Sequence, residues 1–322
     1  MTQTASLRPS RRALIAGAGV MLAAPALLAG APATQRLTGR AFGSGWAITL
    51  PDAAPLAGLH AAVDDVLAGI DRQMSPWRAD SDITALNMAG AGPRDLPGDT
   101  AQVLAAALRL AHDSGGAFDP TVGPLVARWG FGPIRQGDPQ PDWRHLTLTG
   151  QTVTKATPGA TADLCGIAKG HALDRLAALM AGRGAHWLID LGGELAAGGQ
   201  HPLGRAWQVA IEGSPGAAAE VLALRGGMAV ATSGSGVNGY DLGGRRVSHI
   251  IDPASGTPAQ GGLAQVSVIA RSARFADGWA TALFAAGEAR ALDMARQHGL
   301  TTLMLTADGR RLETGDLAAH LA

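Results

Sequence analysis

Apolar positions recur at two periods along this chain. Phe42, Trp46, Ile48 and Leu50 fall at even spacing and predict a strand over 40–50. Pro55 then opens a helix whose stripe is Leu56, Leu59, Val63, Val66, Leu67 and Ile70. A polar loop follows over 74–83. Thr100 is placed to cap a second helix with Val103, Leu104, Ala107 and Leu108 on its inner face, ended by Ser114-Gly115-Gly116. Residues 132–143 read as surface loop and 153–164 as an extended segment. A helix over 166–181 turns Ile167, Leu173, Leu176, Leu179 and Met180 inward and stops at Gly182 and Gly184. A short apolar strand, 187–191, is turned by Gly192-Gly193. Further strands are predicted at 207–211, 221–224, 228–231, 266–270 and 302–305, with helices at 273–286 and 289–298. Helices and strands mix without strict βαβ alternation, which favours an α+β fold of mixed sheet and helix. No Pro/Ser-rich linker divides 34–322, so this stretch is taken as one domain, with a bilobed arrangement left open.

The N-terminus breaks this pattern. Ser10-Arg11-Arg12-Ala13-Leu14-Ile15 precedes an Ala/Gly-rich apolar run over 16–29 and small residues around Ala31 and Ala33. Such an order predicts an export signal over 1–33, and the paired arginines point to the twin-arginine route. A retained anchor is the competing reading, but Gly17, Gly19 and Pro25 interrupt the run. The expected location is the periplasm, without a membrane anchor after processing. Lys plus Arg and Asp plus Glu are both 26, so no basic excess exists to hold a nucleic acid. The single cysteine, Cys165, rules out an internal disulfide.

Three constellations carry chemistry. In Asp163-Leu164-Cys165-Gly166-Ile167-Ala168-Lys169-Gly170-His171-Ala172-Leu173-Asp174, an extended segment ends in an acid, a glycine allows a tight turn, and a helix starts with a lysine. A helix N-terminus with a mobile positive charge suits phosphate, though an ordinary strand-turn-helix is equally compatible. Asp277 and Thr281 lie four apart on a helix beside apolar neighbours. A carboxylate and a hydroxyl side by side suit Mg²⁺; alternatively, Asp277 serves backbone N–H groups at a helix start. In Ser248-His249-Ile250-Ile251-Asp252-Pro253-Ala254-Ser255-Gly256, His249 reads as a general base or as a strand residue bonded to the turn.

Taken in order, these motifs resemble the ApbE family, the FAD:protein FMN transferases. The likeness rests on Met74-Ser75-Pro76-Trp77, Ser81-Asp82-Ile83 and Leu86-Asn87, then Gly116-Ala117-Phe118-Asp119-Pro120-Thr121, and the Asp163 to Asp174 segment. Leu191-Gly192-Gly193-Glu194, Ala231-Thr232-Ser233-Gly234, His249 to Gly256 and Ala276-Asp277 with Thr281-Ala282 continue it. The resemblance implies an ApbE-like fold and an enzyme that cleaves FAD beside Mg²⁺, transfers FMN to a threonine hydroxyl and releases AMP. It makes Gly166 (through its carbonyl), Asp277 and Thr281 the metal ligands. Ala117, Phe118, Asp119, Asp163, Lys169 and Ile251 become flavin-nucleotide contacts, Phe42 and Trp77 border the ring, and His249 is the base. The implied partner is an exported or membrane-bound electron-transfer protein. The leader without a lipid anchor is similar to members associated with nitrous oxide reduction. Two other outcomes use the same residues: an FAD pyrophosphatase giving FMN and AMP, and a non-catalytic flavin-binding assembly factor.

Overall fold

The computed structural model describes residues 34–212, 219–236, 239–243 and 245–322. The expected export signal over 1–33 lies outside the described residues. The chain opens with a hairpin, β1 (Thr34–Ala41) and β2 (Ser44–Pro51), in place of the single strand predicted over 40–50. The turn falls at Phe42 and Gly43, both at positive φ (51° and 75°), as a two-residue hairpin turn requires. Phe42 is the one non-glycine residue there among the described residues.

Helix α1 (Leu59–Met74) begins after Gly58 rather than at Pro55, because Gly58 takes a left-handed conformation at φ 68°. It buries Leu59, Val63, Leu67, Ile70 and Met74. The polar loop ends in a short helix, α2 (Asp82–Met88), capped by Ser81, whose Oγ accepts from the Thr84 N–H at 3.1 Å. After β3 (Gly92–Asp95) comes α3 (Gly98–Asp113). Thr100 lies inside α3 and is not its cap: it is buried, and its hydroxyl donates to Gln73 Oε1 at 3.2 Å. Helix α4 (Gly123–Arg128) and the hairpin β4 (Leu146–Thr149) and β5 (Thr152–Lys155) follow. Only the start of the predicted extended segment is strand, because Pro158-Gly159 punctuates the rest.

Helix α5 (Cys165–Ala181) leads into β6 (Trp187–Leu191), β7 (Glu194–Gly198), β8 (Trp207–Ile211), β9 (Glu220–Leu224) and β10 (Met228–Gly234). Two small hairpins follow: β11 (Gly239–Leu242) with β12 (Arg245–Ser248), and β13 (Ile251–Asp252) with β14 (Thr257–Pro258). The chain closes with β15 (Leu263–Ala270), α6 (Ala273–Ala286), α7 (Glu288–Gln297), β16 (Thr301–Thr306) and β17 (Arg311–Thr314).

Eight strands form one antiparallel sheet in the order β1-β2-β6-β7-β10-β15-β16-β17. Side chains alternate across it and feed two cores. Ile48, Ala196, Ala229, Ala231, Val266 and Val268 face the layer of α1, α3, α5 and α6. Leu195, Val230, Ile269 and Leu303 face the β8–β9 hairpin, which covers them with Trp207, Val209, Leu222 and Leu224. This is the α+β arrangement expected from the pattern. Helix α6 is buried along most of its length and packs against α5, β10 and β15. It therefore holds whatever it carries rigidly.

Candidate functional site

The site grows from the contact of α5 with α6. Gly170 on α5 leaves room for α6: a Cβ there would fall 2.4 Å from the Ala273 carbonyl oxygen and 2.6 Å from Asp277 Cβ. Asp277 Oδ2 consequently reaches the Gly170 N–H at 2.8 Å. One turn along α6, the Thr281 hydroxyl donates to the Gly166 carbonyl at 3.3 Å and lies 3.3 Å from Ser233 Oγ on β10. Three hard oxygens thus converge from two helices. Burial raises the Asp277 carboxyl above the ordinary carboxylate range, against the opposing pull of Lys169 and the Gly170 N–H.

Phe118 joins the second motif to this centre. The space a Cβ at Gly166 would take is bounded by Phe118 Cε2 at 3.2 Å and Thr281 Cγ2 at 3.1 Å. Phe118 and Ala117 are buried, and the Phe118 N–H donates to Ser114 Oγ at 3.0 Å. Asp119 organises its own loop. Its Oδ1 accepts from the Thr121 N–H at 2.7 Å and hydroxyl at 2.6 Å, and its Oδ2 from the Trp143 N–H at 3.2 Å. Burial raises its carboxyl despite these bonds. Asp163 Oδ1 accepts from the Cys165 N–H at 2.9 Å, so it orders the entry to α5.

Lys169 is not the mobile charge the sequence suggested. Its Nζ is 2.6 Å from Glu194 Oε2 at the start of β7 and 3.5 Å from the Gly192 carbonyl. Burial pulls its ammonium down, but Glu194, then Asp277 and Asp190, outweigh this and hold it above the ordinary lysine value. The basic residues comprise 24 arginines and only 2 lysines, and both lysines point inward. Lys155 seals the end of α2, donating to the Ala89 carbonyl at 2.6 Å.

The hairpin that carries Phe42 at its turn meets this region just after its tip. Ser44 lies so close to Gly192 that a Cβ on the glycine would sit 2.5 Å from its Oγ, and the Gly192 N–H donates to the Gly45 carbonyl at 2.9 Å. Trp77 stands 66% exposed between α1 and α2. Ile251 is buried in β13, which packs on α6. His249 precedes it, half-buried, its ring edge-on to Phe131 with centroids 6.3 Å apart. Ser248 Oγ accepts from the Ile250 N–H at 3.1 Å and shapes the turn that presents His249.

Sequence reasoning gave no role to Glu194, Gly170 or Ser233. An acid directly after Gly192-Gly193 was the available signal for Glu194. Asp174 turns out to fix α6. Its Oδ1 accepts from the Ala273 N–H at 2.6 Å, and its Oδ2 from the Ser272 hydroxyl at 2.7 Å and the Arg274 N–H at 3.2 Å. Asp174→Ala leaves these donors without their acceptor and is expected to cost about 2 kcal/mol in chemical denaturation. A loss below about 0.5 kcal/mol would mean that water replaces the carboxylate freely.

Known proteins share this architecture. The model of the ApbE family matches residues 42–304. The FAD:protein FMN transferase of Salmonella typhimurium is 34% identical over 313 residues, covering 90% of this chain and 89% of its own. Its counterpart from Vibrio cholerae is 35% identical over 315 residues, covering 90% and 94%. Among solved structures, the flavin transferase ApbE from Vibrio cholerae superposes with TM-score 0.81 at 31% identity, covering 90% of this chain and all of that one. The apo flavinyl transferase ApbE from Pseudomonas stutzeri gives 0.79 at 32% identity, covering 88% and 95%. On the extent of these matches, the chain belongs to the ApbE family.

Proposed function

We propose that this protein transfers FMN from FAD to a threonine hydroxyl of an acceptor protein and releases AMP. The observation that carries the reading is the convergence of the Gly166 carbonyl, the Thr281 hydroxyl and the Asp277 carboxylate beside the Lys169 ammonium. One carboxylate with two neutral oxygens fits Mg²⁺, which takes few protein ligands and completes its shell with water and phosphate. Bound there, Mg²⁺ supplies charge neutralisation across the diphosphate.

Lys169, in the first turns of α5, holds the diphosphate, with the positive end of the helix beside it. Phe118 walls the nucleotide, with Ala117, Asp119, Asp163 and Ile251 shaping its seat, and Phe42 and Trp77 border the ring. His249 takes the proton of the acceptor hydroxyl. The hydroxyl oxygen bonds to the phosphorus on the FMN side, and the bond to the bridging oxygen breaks. AMP leaves with that oxygen. We place the reaction in the periplasm after twin-arginine export, with a membrane-bound electron-transfer protein as acceptor.

The test incubates the protein with FAD, Mg²⁺ and a threonine-bearing acceptor domain, following acceptor mass and AMP. Matched gain of FMN and release of AMP is expected, abolished by EDTA. AMP and free FMN with an unchanged acceptor mass would make it a pyrophosphatase; FAD binding without AMP would make it a binding factor. His249→Ala is expected to lower kcat about 10²- to 10⁴-fold with FAD affinity retained. Unchanged kcat would remove His249 from the base role.

A further inference from the structure

Glu194 is the buried acid that no step above uses. It opens β7, and its side chain is only 4% exposed, on the helix-facing side of the sheet. A buried carboxylate is costly unless partnered. Its partner is Lys169, whose Nζ lies 2.6 Å away, and among the described residues Oε2 has no hydrogen-bond donor apart from that ammonium. The rest of the socket belongs to the same turn. The Gly192 carbonyl faces Nζ at 3.5 Å, and Asp190 Oδ1 braces the turn by accepting from the Gly193 N–H at 3.0 Å. An ammonium has three donors, so two seats on this turn leave one for a ligand at the N-terminus of α5.

Resting on the flavin-transferase reading, we propose that Glu194 is the positioning residue that fixes Lys169 against the diphosphate. The carboxylate lowers the net attraction of Lys169 for an anion while ordering it. Ordering acts on the rate, because the charge then stands where the transition state needs it without reorganisation. Releasing the lysine should leave ground-state binding intact or tighter.

A double-mutant cycle separates this role from simple structural support. In the otherwise native chain, Glu194→Gln is expected to lower kcat at least about ten-fold while KM for FAD stays unchanged or falls. In a Lys169→Ala background, the same change is expected to alter kcat by less than about two-fold. Equal factors in both backgrounds, or an unchanged kcat in the first, overturn the proposal. If Glu194→Gln does not fold, Glu194→Asp keeps the charge but withdraws it by one methylene, and the same comparison decides. Absence of flavinylated acceptor with the native chain would sink the transferase reading and this inference with it; additive effects in an active enzyme sink this inference alone.

Discussion

Asp277→Asn is expected to lower kcat about 10³-fold and leave the fold standing. Losing about 4 kcal/mol of transition-state stabilisation gives that factor, and a carboxylate that holds a divalent cation is the group whose charge cannot be replaced. The fold does not need the charge. An asparagine oxygen can still accept the Gly170 N–H, which Asp277 Oδ2 now takes at 2.8 Å. Burial raises the native carboxyl above its ordinary value of 3.8. An acid raised on folding binds more protons folded than unfolded, so stability falls as pH climbs from the ordinary carboxylate range through the raised value. Without divalent ions, the Asn variant should therefore melt above the native chain at pH 8 and close to it at pH 4. Melting curves at both values with EDTA, beside AMP release at saturating Mg²⁺, check the two halves. Activity within about tenfold of native would remove Asp277 from the centre of the chemistry. A lower melting point at pH 8 would mean that the carboxylate is better paired than its burial implies.

The same residue shows how far the sequence reaches. Asp277 and Thr281 were legible because both sit on one helix, and a spacing of four is a local signal. Long elements were legible for the same reason: Trp187–Leu191 and Ala273–Ala286 carry their full period within their own residues. The hairpin turn at Phe42 was hidden because a bulky residue at positive φ goes against local preference. Helix α2, at seven residues, is too short to display a stripe. The partners of the site are non-local. The Gly166 carbonyl has no side chain to read, and it meets Thr281 across 115 positions. Glu194 looks like a turn acid until β7 is seen beside α5. Lys169 is a free charge in sequence and a fixed one in space. The family resemblance supplied the gathering of these residues, which local pattern could not.

Gly170→Ala should destabilise the fold more than any polar change in the site. Ordinary van der Waals contact begins at 3.4 Å, and the added Cβ would lie 2.4 Å from the Ala273 carbonyl oxygen, so α5 and α6 must separate by about an ångström. Neither neighbour can yield cheaply, since one is backbone and the other is Asp277 Cβ, at 2.6 Å. Overpacking of this kind costs about 3 kcal/mol or more. The loss of activity should exceed the loss of folded protein, because a displacement of about 1 Å at a catalytic group costs about 10²-fold. Gly69→Ala is the control. It sits in α1 with only Arg72 Nη2 nearby, at 3.9 Å, and should stabilise the chain by about 0.5–1 kcal/mol through helix propensity alone. Denaturant titration of both variants, with kcat corrected for the folded fraction, measures the contrast. If Gly170→Ala folds and turns over like the native chain, the helices can part without disturbing the oxygens they bring together. The cluster of Gly166, Thr281 and Asp277 would then owe its geometry to something other than this close packing.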